Sequence, residues 1–161
     1  MKNKFSIFSP ASLDLIERCF PEIGCFGIGG KFFHPTHRPI NLLPLSPELI
    51  QPKLLLHTRS NVENAFVLKY KDLDGIKASP FNPKVPTRFL VHGFLDNQLF
   101  GKWMKDMKDS FLIEEDCNVI IVDWSKGNLP PYTLATANTR VIGALLALFI
   151  QNLEVIMNNI I

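Results

Sequence analysis

The chain has 161 residues, of which 47% are hydrophobic and 20% are charged, with a net charge of +2. This composition is typical of a globular domain with a sizeable core and excludes an intrinsically disordered chain. Lysine and arginine are scattered and form no basic run, so we expect no nucleic-acid partner. The longest apolar run, residues 141–150, is much shorter than the roughly 20 residues that cross a bilayer, so we expect no transmembrane segment.

The N-terminus begins like a signal peptide, with two lysines and a few apolar residues, but Pro10 and Asp14 interrupt it. We therefore expect residues 1–18 to be a tail or a damaged signal segment. Cys19 and Cys25 lie six positions apart, and this spacing suits a small disulfide loop and two reduced thiols about equally. The third cysteine, Cys117, is expected to be a small buried residue beside a strand.

The first half of the chain is rich in proline and loops. Residues 33–47 contain four prolines, so no helix can run through them. Residues 53–58 and 65–70 are expected to form strands joined by a turn, and residues 87–93 to form another strand that runs into a His-Gly pair. We interpret this half as an antiparallel lead-in to a sheet.

The second half alternates between strand and helix patterns. Apolar residues recur at helical spacing over residues 99–115, and residues 117–124 are a continuous run typical of a strand buried on both faces. A loop then leads to a long helix over about residues 133–158. A βαβα order of this kind predicts parallel strands with right-handed crossovers, and the whole chain therefore predicts a mixed α/β sheet.

His92, Gly93 and Phe94 are the first candidate site. A glycine after an apolar strand usually marks a tight turn or a close backbone approach, and backbone N–H groups in such a loop can bind an oxyanion. The alternative is a buried core histidine followed by an ordinary turn. Asp123 ends the next strand at the edge where α/β proteins bind ligands, although we expect it to cap the loop.

Other potential sites are weaker. His34 and His37 form an H-x-x-H pattern with no accompanying acid or cysteine, so we expect no metal site. Tryptophan and tyrosine side chains, Tyr132 among them, are more often packing residues than ligand contacts. None of the serines has glycine two positions before and after it, and no histidine follows His92, so the nucleophile and base of acyl transfer are missing from these residues.

Six stretches then carry a family resemblance, in the order "CFPEIGCF", "RPINLLPLSP", "LLLHTRSN", "TRFLVHGFLDN", "NVIIVDWSKGN" and "YTLATANTRVIGALLALFI". From about Cys19 to Gln151 the chain resembles the N-terminal half of pancreatic-type triacylglycerol lipases, particularly their secreted arthropod relatives. The resemblance implies an incomplete α/β-hydrolase fold, with residues 19–161 as the first half of the lipase domain and a stop before the nucleophile strand.

The resemblance also implies site residues. Phe94 would supply a backbone N–H to the oxyanion hole, Gly93 would permit the turn that presents it, and His92 would support the loop without transferring a proton. Tyr132 would line the acyl-chain groove, and Cys19 would pair with Cys25 in a disulfide. No cofactor or metal is implied.

By the same resemblance, the chain is expected to be part of a secreted, extracellular lipase whose partners are a lipid ester and the lipid–water interface. Because the nucleophilic serine and the catalytic aspartate and histidine are missing, activity of this chain stays open. The alternatives are a non-catalytic lipid- or protein-binding homologue and a truncated, non-functional product. Residues 88–93 would be a bare apolar strand edge, which predicts poor solubility.

Overall fold

The computed structural model describes Leu13, residues 15–96 and residues 102–158. Most of the expected tail, and the start of the helix expected from residue 99, lie outside these residues. The described chain opens with a hairpin of strands β1 (Glu17–Phe20) and β2 (Gly24–Gly27), so the first strand begins inside the segment expected to be a tail.

The hairpin resolves the two interpretations of the first cysteines. Cys19 lies directly opposite Cys25 in the antiparallel register, and the two form a disulfide. The free thiol, that of Cys117, is buried as expected, and burial raises its pKa.

The main sheet has four strands: β3 (Lys53–His57), β4 (Phe66–Leu68), β5 (Thr87–Val91) and β6 (Asn118–Asp123). Their order is β4-β3-β6-β5, with β3 antiparallel to β4 and β6, and β5 parallel to β6. The prediction of an antiparallel lead-in joined to a parallel βαβ unit is thereby confirmed.

Within residues 15–96 and 102–158, four α-helices connect or cover these strands: α1 (Pro47–Ile50), α2 (Leu73–Lys77), α3 (Lys102–Glu114) and α4 (Tyr132–Asn158). The two short helices were not expected from the sequence. Proline occupies the first turn of α1, and the Asp72 side chain caps α2 by accepting the Gly75 N–H at 2.8 Å. Single turns of this kind are too short to show a helical period.

The core has a layer on each face of the sheet because successive residues of a strand point to opposite faces. On one face, α4 packs on β3, β4 and β6 through Leu54, Leu56, Leu68, Ile120, Val122, Val141, Leu145 and Phe149. On the other face, α3 packs through Leu55, Leu90, Met104, Leu112, Val119 and Ile121. Strand β6 is buried on both faces, as its continuous apolar run predicts.

Helix α4 is long and apolar enough to cross a membrane by length and composition, with a mean hydropathy of 1.7 over its best window. This is weak evidence for a span because the core helix of a soluble protein passes the same test. In this structure Val141 and Phe149, on the face of α4 that packs on the sheet, are fully buried.

Candidate functional site

His92 lies where the parallel strands β5 and β6 end side by side, and its side chain is buried. Its Nε2 accepts the Trp124 backbone N–H at 3.0 Å, and the Trp124 indole Nε1 donates to the His92 carbonyl at 2.8 Å. The two rings stack with centroids 5.5 Å apart. This pair therefore joins the ends of the two strands.

The same contacts set the tautomer of His92. Because Nε2 accepts a hydrogen bond, the neutral ring carries its proton on Nδ1, which lies 3.2 Å from the Gly93 carbonyl oxygen. Nδ1 also lies 3.2 Å from Asn128 Nδ2, so both ring nitrogens are in contact with polar groups of the protein. The geometry suits support of the loop and leaves neither nitrogen ready to transfer a substrate proton.

Asp123 ends β6 and caps the loop that follows, since its Oδ1 accepts the Ser125 N–H at 3.1 Å. The same oxygen lies 3.6 Å from His92 Nε2. The His92 ring when it is protonated, together with the hydrogen bonds from Ser125, holds the pKa of the Asp123 carboxyl well below its ordinary value in spite of partial burial. Asp123 is accordingly an ionised capping residue at neutral pH.

The turn after His92 spans residues 93–96. Gly93 does not have a left-handed φ; the residue that does is Leu95, at φ 60°. The turn closes there because the Leu95 N–H donates to the Asn128 carbonyl at 3.2 Å and the Asp96 N–H donates to the Gly93 carbonyl at 3.3 Å. Gly93 is the first residue of this turn, and a Cβ there would meet no described atom within 4 Å.

The open space beside Gly93 is a cavity of about 320 Å³ between the end of β5 and helix α4. Phe94 and Tyr132 meet at its mouth, with ring centroids 5.1 Å apart in an edge-to-face arrangement. The cavity brings together all four residues that the family resemblance selects for the oxyanion loop and acyl groove: His92, Gly93, Phe94 and Tyr132. The rest of its wall is mainly apolar: Val91, Trp124, Ala135, Thr136, Thr139, Ile142, Gly143 and Leu146.

Asn128 is a site residue that the sequence reasoning missed. It is buried, and its Nδ2 donates to the Gly93 carbonyl at 2.9 Å and to the Asp96 carbonyl. Asn138 holds the loop that carries Asn128, because its Nδ2 donates to the Gly127 carbonyl at 2.8 Å. Asparagine after glycine is typical of an exposed turn, so no local signal identifies Asn128 as a buried donor.

The histidine pair in the proline-rich loop forms a turn. His34 Nδ1 accepts the backbone N–H groups of Thr36 at 3.2 Å and His37 at 3.1 Å. Among the described residues, the one group of three potential metal ligands is Glu17, Cys19 and Cys25, and both of its sulfurs are in the disulfide. In that group the disulfide leaves the Glu17 carboxylate as the remaining donor.

Comparison with known proteins supplies the family. The family model described as Lipase matches residues 16–159, which includes residues beyond Gln151 where the sequence resemblance ended. The chain is 39% identical over 138 residues to "Inactive pancreatic lipase-related protein 1" of Canis lupus familiaris and 39% identical over 138 residues to "Pancreatic lipase-related protein 2" of Homo sapiens. A match to "Pancreatic lipase-related protein 2" of Rattus norvegicus has 38% identity over 138 residues.

Each of these alignments covers 86% of this chain and 29% of the relative, so the chain spans less than a third of the relatives' length. The family model and these relatives agree with the ordered motifs of the sequence. They also agree with the mixed sheet, which places the loop of His92, Gly93 and Phe94 (the HGF loop) beside an apolar cavity. The chain belongs to the pancreatic-type lipase family and corresponds to its N-terminal part.

Proposed function

We propose that this chain is part of a secreted lipase that hydrolyses carboxylic esters of lipids with a serine nucleophile. The observation that carries the proposal is the cavity that joins the Phe94 backbone to an apolar groove containing Tyr132. In this role the Phe94 N–H binds the oxyanion, the groove binds the acyl chain, and His92 supports the loop.

The Phe94 N–H is suited to this role because it has no hydrogen-bond acceptor within the part of the chain that the structure describes. A buried network holds the residues on either side of it, so the donor is in place before an ester arrives. Attack on an ester carbonyl creates a negatively charged oxygen, and one such donor lowers the barrier by about 3 kcal/mol. The serine and its histidine and acid would come from outside these 161 residues.

Exposed apolar side chains near the cavity are consistent with a lipid substrate. Phe94 and Tyr132 line the cavity and are exposed, and their chain neighbours Leu95 and Leu129 are exposed as well. Exposed apolar clusters of this kind favour contact with a lipid surface. The Cys19–Cys25 disulfide favours an oxidising, extracellular compartment.

Acyl binding tests the proposal on the chain as it stands. We expect a fluorescent long-chain fatty acid to bind and Tyr132→Ser to weaken its affinity several-fold, since Tyr132 lines the groove. Tyr70→Ser is the matched control because Tyr70 lines a different apolar cavity, of about 360 Å³, on the β4 side of α4. Weakening by the control alone would place the fatty acid in that other cavity and contradict the proposal.

Hydrolysis is a separate measurement. We expect the purified 161-residue chain to show no ester turnover because it contains no G-x-S-x-G nucleophile. The protein expressed from the complete native transcript should hydrolyse emulsified triacylglycerol or phospholipid. Turnover by the 161-residue chain that survives purification would refute the assignment of the nucleophile to another segment.

A non-catalytic lipid-binding homologue is the second candidate. One observation favours it: a relative that is 39% identical carries the name "Inactive pancreatic lipase-related protein 1". Fatty-acid binding by the native protein without turnover of any lipid ester would select this candidate over the lipase.

A further inference from the structure

We propose that Asn128 is a positioning residue that sets the direction of the Phe94 N–H. The inference rests on the proposed function, in which that N–H binds the oxyanion. It assigns a role in the reaction to a side chain that does not line the cavity itself.

The carboxamide of Asn128 contacts the loop at both ends of the turn. Its Nδ2 donates to the Gly93 carbonyl at 2.9 Å and to the Asp96 carbonyl, while the Asn128 backbone carbonyl accepts the Leu95 N–H at 3.2 Å. One buried residue thus makes three hydrogen bonds to residues 93–96. A loop of four residues tied in this way has little freedom to rotate its peptide groups.

The consequence for Phe94 follows from peptide geometry. The Gly93 carbonyl and the Phe94 N–H belong to one planar trans peptide and point in opposite directions. The carbonyl is turned toward the protein interior, where it accepts bonds from Asn128 and from the Asp96 N–H and lies 3.2 Å from His92 Nδ1. The N–H must therefore point away from Asn128, on the side where Gly93 and Phe94 line the cavity.

The position of Asn128 is itself fixed by contacts of its neighbours, so Asn128 can hold the loop of residues 93–96 in one conformation. Its neighbour Gly127 donates its N–H to the Trp124 carbonyl at 2.7 Å, and the Gly127 carbonyl accepts Asn138 Nδ2 at 2.8 Å. There is no room for a side chain at Gly127, where a Cβ would lie 2.8 Å from Ile50. The direction of the Phe94 peptide is thereby coupled to the packing of α1 and α4.

The substitution Asn128→Asp tests whether the side-chain N–H donors of Asn128 hold the loop. Asn128→Asp keeps the shape of the side chain but replaces two N–H donors by an acceptor that faces two carbonyl oxygens. His92 is the titratable side chain that faces this position, with Nδ1 3.2 Å from Asn128 Nδ2. At neutral pH the carboxylate repels the two carbonyls and is drawn toward the His92 Nδ1–H, whereas a protonated carboxyl regains one donor for the carbonyls. The variant should therefore order the loop in acid and release it at neutral pH, and a residue that only fills space would show no such reversal.

The first measurement is amide hydrogen exchange of the full 161-residue chain, resolved to single residues by mass spectrometry. In Asn128→Ala, and in Asn128→Asp at neutral pH, the amides of Leu95 and Asp96 should exchange about tenfold faster or more. The reason is that each lost hydrogen bond makes opening of the loop easier by about that factor. Acidification should restore protection in the aspartate variant relative to wild type at the same pH.

Asn118→Asp is the matched control. Asn118 is a buried asparagine at the opposite end of β6 whose Nδ2 donates to the Asn82 carbonyl at 2.8 Å. It makes a comparable buried bond but does not touch the loop, so the Leu95 and Asp96 amides should keep their protection. Far-UV circular dichroism of every variant separates local release of the loop from general unfolding.

The second measurement reports the direction of the Phe94 N–H. Decanoate, whose carboxylate can mimic the oxyanion, should slow exchange of the Phe94 amide in wild type but not in Asn128→Asp at neutral pH. Unchanged Leu95 and Asp96 protection in both Asn128 variants, or equal decanoate protection of Phe94 in Asn128→Asp, would overturn the inference. Failure of wild type to bind decanoate at all would instead refute the proposed function.

Discussion

At the scale of single residues, two buried basic side chains converge on one carbonyl oxygen. His57 Nδ1 lies 2.9 Å and Lys108 Nζ 2.7 Å from the Val62 oxygen, and Lys108 also pairs with Asp109 at 2.6 Å. Burial lowers the pKa of His57, and the Lys108 ammonium lowers it further, against the bond to Val62. His57 therefore binds a proton less readily in the fold than in the unfolded chain.

This arrangement predicts a loss of stability in mild acid. The unfolded chain binds a proton at His57 near pH 6.5, whereas the folded chain resists protonation, so the free energy of unfolding should fall as the pH drops below about 6.5. His57→Asn, which retains a donor for Val62, should flatten this dependence. The measurement is the urea midpoint from neutral pH to about pH 5.

The exposed His37→Asn substitution is the control for that titration and should leave the slope as in wild type. Equal slopes for wild type and His57→Asn would show that the acid sensitivity arises at other groups.

At the scale of elements, the N-terminal hairpin is joined to helix α4 through one arginine. The Arg140 guanidinium lies 3.6 Å from the Phe32 ring centroid and 5.2 Å from that of Phe26, and it donates to the Gly27 carbonyl at 2.7 Å. A planar cation stacked on aromatic rings and bonded to a carbonyl cannot be replaced by another side chain of similar size.

We expect Arg140→Met to lower the free energy of unfolding by about 2 kcal/mol, from the charged hydrogen bond and the ring contacts together. Arg88→Met is the control, because Arg88 forms a partly exposed ion pair with Glu115 and lies 5.8 Å from the Phe111 ring centroid, much farther than Arg140 from Phe32. Arg88 should contribute about 0.5 kcal/mol. Denaturant unfolding of both variants measures the difference. Equal losses would show that the stacked geometry adds no stability.

The disulfide within the hairpin gives a second prediction at this scale. Closing a loop over a separation of six residues restricts the unfolded chain, so the Cys19→Ser, Cys25→Ser double variant should lose about 2 kcal/mol of stability. Thermal unfolding of the variant, beside the chemically reduced wild type, checks this value. An unchanged midpoint in both would mean that the hairpin unfolds independently of the rest.

At the scale of the whole molecule, β5 is an edge strand of the described sheet although it carries the candidate oxyanion loop. Its Val91 is 44% exposed and lies beside the cavity, and the other edge strand, β4, exposes Val67 to 54%. An apolar edge with unpaired backbone groups promotes pairing between molecules.

We therefore expect the 161-residue chain to associate as its concentration rises and to be poorly soluble. Val91→Lys should reduce association because a charge on an edge strand opposes strand pairing. Val67→Lys is the matched control on the three-residue strand β4, which offers a shorter template. Sedimentation velocity over a concentration series measures both, and a wild-type chain that stays monomeric throughout would contradict the prediction.

Much of the framework follows from local pattern. The buried run of β6, the alternation of strands and helices and the proline-rich lead-in were predictable because side-chain periodicity depends on neighbouring residues alone. The ordered motifs, from the cysteine pair to the HGF loop, were enough to identify the lipase family. Short helices such as α1 (Pro47–Ile50) were not predictable because one turn shows no period.

Within the candidate site, the local pattern predicts a histidine, a glycine and a phenylalanine in the loop at the end of β5. The left-handed conformation of Leu95, and the contact of Asn128 with Gly93 across 35 positions, appear only in the folded chain. A hydrogen bond depends on the direction of its donor and acceptor. That direction is set by the packing of segments distant in the chain, which spacing and composition do not encode.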